Sequence, residues 1–245
     1  MFRRKPKPKK TKKKPETPGE WGKHFLREWV QPFAIVLAIF LPFRSSIADW
    51  NDVPTGSMKP TIVEGDRIFV NKLAYGLRVP FTHTWVARWD APSRGEIVVC
   101  SSPADGIRLV KRLVAIPGDT IELRDSVLLI NGQPATYGPL DQNTIEQIQP
   151  DTMRRRFASE TIDGVTHAIM QTPASVRADR NMAPFTLGAG EYFAMGDNRD
   201  LSRDSRSFGP IMQGEIVGRS GTVVLSLDRD NYFMPRLDRF FRKLP

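Results

Sequence analysis

Cysteine and histidine are scarce in this chain of 245 residues, which contains one cysteine and three histidines. The single thiol, Cys100, excludes an intrachain disulfide, and its apolar neighbours predict a strand in which it is a buried structural thiol. No histidine, cysteine or carboxylate cluster has the spacing of metal ligands. We therefore expect no metal and no cofactor, and only His24, His83 and His167 are available to a histidine-dependent mechanism.

Acidic residues are in deficit, but only at one end of the chain. Residues 1–28 hold 11 Lys and Arg against 3 Glu, a charge of +8, which leaves +1 of the total +9 for the remainder. A nearly neutral remainder has no field that would steer it to phosphates, so nucleic acid is not an expected partner. Residues 1–28 are instead expected to be a basic cytoplasmic tail that sets topology and contacts anionic phospholipid.

Long apolar runs are limited to one segment, residues 29–43, in which Gln31 is the only polar residue. Fifteen helical residues cover about 22 Å, less than the ~30 Å hydrocarbon core of a membrane. We expect a single transmembrane anchor that extends over 29–48, with Pro42 kinking or ending the helix. The positive-inside rule then places residues 49–245 in an extracytoplasmic domain. A cleavable signal peptide is the alternative, because residues 46–48 (Ser-Ile-Ala) resemble a small-x-small processing site.

Beyond the anchor the pattern is that of a mainly β fold, and no long amphipathic helix is evident. Apolar segments bounded by turn residues predict strands at 66–70, 96–100, 108–115, 120–130, 192–195 and 214–227. The Asn131-Gly132 pair is a strong hairpin signal. Residues 133–187 are more polar, contain five prolines and interrupt this pattern, so they are interpreted as a loop-like insertion or a small second lobe.

One serine, Ser57, lies between a glycine turn and a proline just beyond the apolar run. A serine hydroxyl is a poor nucleophile until a base removes its proton. His24 falls on the cytoplasmic side of the expected anchor, and neither His83 nor His167 lies near a nucleophile-elbow motif. A Ser-His-Asp triad therefore has little support, although the sequence does not exclude it.

Lysine is the other candidate base, and Lys111 lies within an apolar stretch at 107–115. If this stretch is a strand, Lys111 shares a face with Leu109, Leu113 and Ala115. Burial among apolar groups lowers the pKa of a lysine, which is what a neutral base requires. The alternative is an edge-strand charge that guards against aggregation. Lys59 is nearer to Ser57 in sequence but has no comparable apolar surroundings.

Five segments in order resemble the motifs of bacterial type I signal peptidases. They are residues 54–61 (Pro-Thr-Gly-Ser-Met-Lys-Pro-Thr), 65–66 (Gly-Asp), 94–99 (Arg-Gly-Glu-Ile-Val-Val), 110–119 (Val-Lys-Arg-Leu-Val-Ala-Ile-Pro-Gly-Asp) and 196–210 (Gly-Asp-Asn-Arg-Asp-Leu-Ser-Arg-Asp-Ser-Arg-Ser-Phe-Gly-Pro). The resemblance implies a signal-peptidase-like β catalytic domain. It also implies a bacterial protein that is bound to the cytoplasmic membrane, with the catalytic domain on the side away from the cytoplasm.

The implied activity is that of a Ser/Lys endopeptidase that removes signal peptides from exported preproteins. Ser57 matches the nucleophile and Lys111 the general base. The Ser57 N–H and the Thr55 hydroxyl, which takes the place of the more common serine, match the oxyanion hole. Matching supporting residues are Ser202, which would orient the lysine, and the ion pair of Asp204 with Arg206.

The family recognises small side chains one and three residues before the cut, and shallow apolar pockets would achieve this by excluding bulk. The matching wall positions are Val53, Pro54, Met58, Ile62, Leu109 and Val110. The segment before the nucleophile is more polar here than is usual in the family, and Phe81, Trp85 and Trp89 are candidates for seating the domain on lipid.

We expect the protein to be a monomer. Two other functions are also compatible with the sequence. One is a specialised maturation peptidase of a pilus or conjugation apparatus with the same chemistry. The other is a membrane-anchored envelope scaffold without enzymatic activity.

Overall fold

The computed structural model describes residues 18–82, 84–146, 148, 154–173 and 180–245. The chain divides into two compact units, residues 1–43 and residues 44–245. Most of the tail predicted at residues 1–28 and the alternative base His83 lie outside the described residues.

The first unit is helical. Helix α1 (Pro18–Phe25) leads through a π-helical turn (Leu26–Val30) into helix α2 (Gln31–Ser46). Pro32, which has no backbone N–H to donate within a helix, lies in the first turn of α2, directly after this widened turn. Within the described residues, the helical stretch Trp21–Ser46 is long and apolar enough to cross a membrane by length and composition.

The structure bears on where this segment ends. Helix α2 continues through Pro42 to Ser46, so of the two expected effects of Pro42, a kink or an end, the helix does not end there. Ala48, the last residue of the predicted span 29–48, is the first residue of a strand and pairs with Asn71. Cleavage after Ala48 would therefore cut a paired strand.

The second unit is mainly β, as the sequence predicts. Its strands are β1 (Ala48–Asp52), β2 (Asp66–Asn71), β3 (Gly76–Arg78), β4 (Trp85–Arg88), β5 (Ile97–Ser101), β6 (Arg108–Ala115), β7 (Thr120–Arg124), β8 (Val127–Ile130), β9 (Gln133–Pro134), β10 (Thr136–Gly138), β11 (Arg156–Ile162), β12 (Val165–Gln171), β13 (Met182–Thr186), β14 (Glu191–Met195), β15 (Ile211–Met212), β16 (Ile216–Asp228), β17 (Met234–Pro235) and β18 (Arg242–Lys243). Two short helices, α3 (Gln142–Glu146) and α4 (Ser205–Phe208), lie between them.

The largest sheet has the strand order β1-β2-β16-β5-β6-β14-β15, with β17 and β18 added to β16. Long strand β16 is its organiser, because it pairs with β2 and with β5. Strand β6 pairs with β5 from Arg108 to Arg112, whereas β14 pairs with it only from Arg112 onward. The first part of β6 therefore keeps one edge free of strand partners within the part of the chain described.

Smaller sheets carry the rest of the unit. Strands β13-β7-β8-β9 form one, β10-β11-β12 another, and β3-β4 a third. The hairpin predicted at Asn131-Gly132 is confirmed: both residues have positive φ, 53° and 76°, and they connect β8 to β9.

Much of the described part of residues 133–187 is in strands rather than loops, and the predicted insertion or small second lobe stays a prediction. The segment contains the hairpin β11–β12, and β13 joins the sheet of β7. Apolar alternation is weak in these strands because several side chains of β11 are only half-buried and four of the five residues of β13 are exposed.

Candidate active site

Ser57 and Lys111 meet at the surface of the large sheet. Ser57 lies in a single 3₁₀ turn (Gly56–Met58) that follows β1, and Lys111 lies on β6. Lys111 Nζ donates to Ser57 Oγ at 2.7 Å and to the carbonyl of Val110 at 2.9 Å. The two groups predicted as nucleophile and base are thus in direct hydrogen-bond contact, although they are 54 residues apart in the chain.

Lys111 is only 2% exposed. Burial is the main cause that lowers its pKa from the ordinary 10.5, and the positive charge of Arg206 acts in the same direction. The charges of Asp204 and Asp197 oppose this effect without reversing it. Among the described residues no carboxylate forms a salt bridge with Lys111. The amine is therefore held in surroundings that favour its neutral form.

The loop after β14 fixes the turn that carries Ser57. The Asn198 N–H donates to the carbonyl of Ser57, and its side-chain amide donates to the carbonyl of Gly56, both at 3.0 Å. Gly196 packs so closely on this turn that a Cβ at its position would overlap the Ser57 carbonyl oxygen. The turn is therefore clamped by backbone contacts that admit no side chain at position 196.

The predicted supporting residues lie in the same loop. Asp204 is fully buried, pairs with both Arg206 Nε (2.9 Å) and Arg206 Nη2 (2.8 Å), and accepts from the N–H of Gly196. The Ser202 hydroxyl lies beside Asp204 and helps to lower its pKa, but its Oγ makes no well-aligned hydrogen bond. The structure therefore does not show the predicted hydrogen bond from Ser202 to Lys111.

The next residue of β6, Arg112, was not singled out from the sequence as part of the site. It is fully buried, and its guanidinium makes two bonds of 2.9 Å to the buried carboxylate of Asp197. Burial acts to raise the pKa of Asp197, but the charge and hydrogen bonds of Arg112 outweigh it and the pKa is lowered. Thr61 donates to the same carboxylate. A buried arginine in an apolar strand requires such a partner, so the sequence around Arg112 could have indicated a buried ion pair beside Lys111.

A second buried ionic group ties the small hairpin to this loop. Arg199 pairs with Glu160 of β11, and His167 of β12 lies 3.2 Å from the same carboxylate. Burial lowers the pKa of His167 despite that neighbour. The structure places His167 with Glu160 and Arg199, and the side chain that bonds Ser57 is Lys111. No contact in the described residues supports His167 as a base for Ser57.

A groove of about 350 Å³ opens beside Ser57 and Lys111. Five of the six predicted pocket positions line this groove, namely Val53, Pro54, Met58, Leu109 and Val110. Thr55 lines it as well. The sixth, Ile62, does not line the groove, because it is fully buried in the core behind Val53 and Met58. The groove continues past the predicted positions along Trp50, Asn51, Asp52, Ile107 and Arg108.

Other residues considered from the sequence lie away from this chemistry. Lys59 pairs with Glu64 at 2.8 Å rather than with Ser57. The guanidinium groups of Arg78 and Arg88 both lie over the ring of Trp85, whereas Phe81 and Trp89 are exposed. The thiol of Cys100 is buried, and burial raises its pKa to about 12.

Comparison with known proteins identifies the family to which the chain is similar. The sequence profile of the family described as signal peptidase, peptidase S26, matches residues 26–225. Signal peptidase I of Buchnera aphidicola is 31% identical, with 86% of this chain and 79% of the relative covered. Signal peptidase I of Pseudomonas aeruginosa is 34% identical, with 82% and 73% covered. A crystal structure of a signal peptidase I from Enterococcus faecalis is 28% identical and covers 53% of this chain and 97% of that one, with a TM-score of 0.33.

Proposed function

Because the chain belongs to the signal peptidase family, peptidase S26, we propose that it is a membrane-anchored serine endopeptidase that removes N-terminal signal peptides from exported preproteins. Ser57 is its nucleophile and Lys111 its general base. The observation that carries the proposal is the 2.7 Å contact of the buried Lys111 amine with Ser57 Oγ.

In the first step, neutral Lys111 takes the Ser57 proton while Oγ forms a bond to the scissile carbonyl carbon. The oxyanion is stabilised by the Ser57 N–H and the Thr55 hydroxyl. When the carbon–nitrogen bond breaks, the leaving amine takes the proton from Lys111, and the acyl group remains on Ser57. Lys111 then deprotonates a water that releases the signal peptide and regenerates the serine.

The groove explains how a small-x-small (Ala-x-Ala) substrate would be selected. An extended segment can add itself along the free edge of β6, where backbone pairing supplies affinity. Leu109 and Val110 on one side, and Val53, Pro54 and Met58 on the other, leave shallow apolar space. Bulky side chains one and three residues before the cut would be excluded by contact with these walls.

The proposed setting is the bacterial inner membrane, with preproteins and phospholipid as partners. Residues 1–28 form the cytoplasmic tail, the apolar helix crosses once, and the catalytic unit lies on the outer face. The helix Trp21–Ser46 supports this arrangement by its length and composition. The catalytic chemistry itself needs no more than this one chain.

The test is cleavage of a preprotein with an Ala-x-Ala site by the full chain in detergent. We expect Ser57→Ala and Lys111→Ala each to lose at least about 10²–10⁴-fold in kcat, since the serine attack and its proton transfer are removed. Lys59→Ala is the matched control, because that lysine pairs with Glu64, and it should retain activity.

Two results would contradict the proposal. Full activity of Ser57→Ala would remove Ser57 from the mechanism. An inactive wild type would favour a specialised maturation peptidase, which cleaves pilin-type substrates instead, or a scaffold that needs no Ser57.

A further inference from the structure

The end of the groove away from Ser57 carries a cluster of charges around one carboxylate. Asp49 of β1 is 5% exposed and receives three cations. Arg44 Nε lies 2.8 Å from its Oδ1, while Lys72 Nζ and Arg108 Nη1 lie 3.3 Å and 3.7 Å from its Oδ2. We call Arg44, Lys72 and Arg108 with Asp49 the cationic rim.

The cationic rim is positive overall, because three cations share one carboxylate. Burial is the main cause that lowers the pKa of Lys72, and Asp49 opposes it, while Arg108 and Arg44 add repulsion. The nearest other carboxylate of β1, Asp52, is already paired with Arg229. An excess of positive charge thus remains at this end of the groove.

Arg108 is the member of the cationic rim that faces a substrate. It lines the groove, its side chain is 49% exposed, and its contact with Asp49 is longer than a hydrogen bond. Lys72 is 10% exposed and also donates to the carbonyls of Arg44 and Ser45. Arg44 lies over the ring of Trp50 at 5.5 Å. Only Arg108 combines a groove position with a loosely held charge.

The position of Arg108 sets which part of a substrate it meets. It precedes Lys111 by three residues on β6, which corresponds to roughly 10 Å along a strand. A substrate that pairs with this edge has the same rise, and its cut lies at Ser57. The substrate residues level with Arg108 are therefore about the fourth and fifth before the cut.

We propose that Arg108 is a specificity-determining residue that favours an acidic side chain, and disfavours a basic one, about four to five residues upstream of the cleavage site. The proposal rests on the proposed function and names a preference within it. The Arg108 guanidinium moves from Asp49 to a substrate carboxylate, while Lys72 and Arg44 keep Asp49 neutralised. A substrate lysine would instead add a fourth cation to the cationic rim.

The experiment uses the full chain in detergent and a set of Ala-x-Ala preproteins. Asp, Asn or Lys is placed in turn at the second position and at each of the fourth to seventh positions before the cut, which leaves both alanines of the site intact, and kcat/KM is measured. We expect the Asp/Lys ratio to reach about tenfold at the fourth or fifth position and to fall with added salt, as exposed charge pairs do.

Variants identify the residue responsible. Arg108→Gln should reduce the ratio, and Arg108→Glu should reverse it. Arg124→Gln removes an exposed arginine that pairs with Glu122 away from the groove, and it should leave the ratio unchanged. The ratio is taken within each variant, so a change in overall activity cancels.

The outcomes separate this inference from the function on which it rests. If the asparagine substrates are cleaved but the Asp/Lys ratio is flat, or survives Arg108→Glu, the inference is overturned alone. If wild type cleaves none of the substrates, the proposed function fails and the inference fails with it.

Discussion

Two neighbouring residues of β6, Lys111 and Arg112, place basic side chains in the interior on opposite faces of the strand. Only one of them has a carboxylate partner among the described residues. Lys111 is 2% exposed, has a lowered pKa, and bonds to a serine hydroxyl and a carbonyl. Arg112 is fully buried and bonds to the carboxylate of Asp197. One face of the strand leaves its cation without a carboxylate partner among the described residues, and the other supplies one.

The presence or absence of a carboxylate partner decides whether a buried basic side chain is suited to proton transfer or to holding neighbouring elements together. A buried amine without a counter-ion is driven toward its neutral form and becomes a base. A buried guanidinium stays charged and needs a partner, so it ties β6 to the loop after β14. That loop in turn holds the Ser57 turn through Asn198. The position of Ser57, the proposed nucleophile, thus depends on the buried ion pairs of Arg112 with Asp197 and of Arg199 with Glu160, which we call the charged layer.

The largest expected effect comes from breaking the charged layer. Arg112→Met leaves Asp197 buried without its ion-pair partner, and loss of one partner of such a pair costs about 3–5 kcal/mol of unfolding free energy. Denaturant unfolding of the full chain in detergent measures it. The double variant Arg112→Met with Asp197→Leu should recover much of the loss, and a single variant within about 1 kcal/mol of wild type would contradict the assigned role.

A smaller effect, on activity, is expected at Gly196, where the loop after β14 contacts the turn that carries Ser57. A Cβ at Gly196 would overlap both the side chain of Ser202 and the carbonyl oxygen of Ser57, so Gly196→Ala should displace the Ser57 turn together with Ser202. Misplacement of a reacting group by about 1 Å costs on the order of 10²-fold in rate, and the loss should appear in kcat more than in KM. Gly214→Ala is the control, since nothing lies within 4 Å of a Cβ there. Equal activity of the two variants would show that the contact is not needed.

Replacing Lys111 should change the unfolding free energy in the opposite direction from replacing Arg112. Its folded pKa is lowered relative to the unfolded chain, so the charged amine costs stability at neutral pH, and this cost declines as pH rises toward 10.5. Lys111→Met should therefore raise the unfolding free energy at pH 7 and raise it by less at pH 10. A destabilised Lys111→Met at pH 7 would contradict this account of the pocket.

The smallest expected effect is at Cys100, which lies on β5 beside the first part of β6. Burial raises the pKa of its thiol to about 12, and the thiolate is the reactive form of cysteine. Iodoacetamide at pH 8 should leave the activity of the folded protein unchanged and label the thiol only after unfolding. Inactivation that tracks labelling of the folded chain would contradict the burial of this thiol.

The sequence could predict the catalytic face because its signals are local. A serine between a glycine turn and a proline, and a lysine alternating with apolar residues, are visible in short segments. The family resemblance, now confirmed by relatives at 31% and 34% identity, connected these segments. The mainly β fold and the Asn131-Gly132 hairpin followed from strand alternation and turn residues.

The charged layer could not be predicted in the same way, because its partners are distant in sequence. Arg112 and Asp197 are 85 residues apart, and Glu160 and Arg199 are 39 apart. The β11–β12 hairpin was also missed, since its alternation is blurred by half-buried residues. Ile62 matched a pocket position by motif, but its side chain turns into the core.

The pH dependence of kcat/KM decides whether Lys111 is a neutral base for Ser57, because this parameter reports the free enzyme. We expect a rise of about tenfold per pH unit on the acid side, with a plateau reached below the ordinary lysine pKa of 10.5. A profile that is flat from about pH 6 to pH 10, or one that inflects only at the unperturbed lysine pKa of ~10.4, would contradict it.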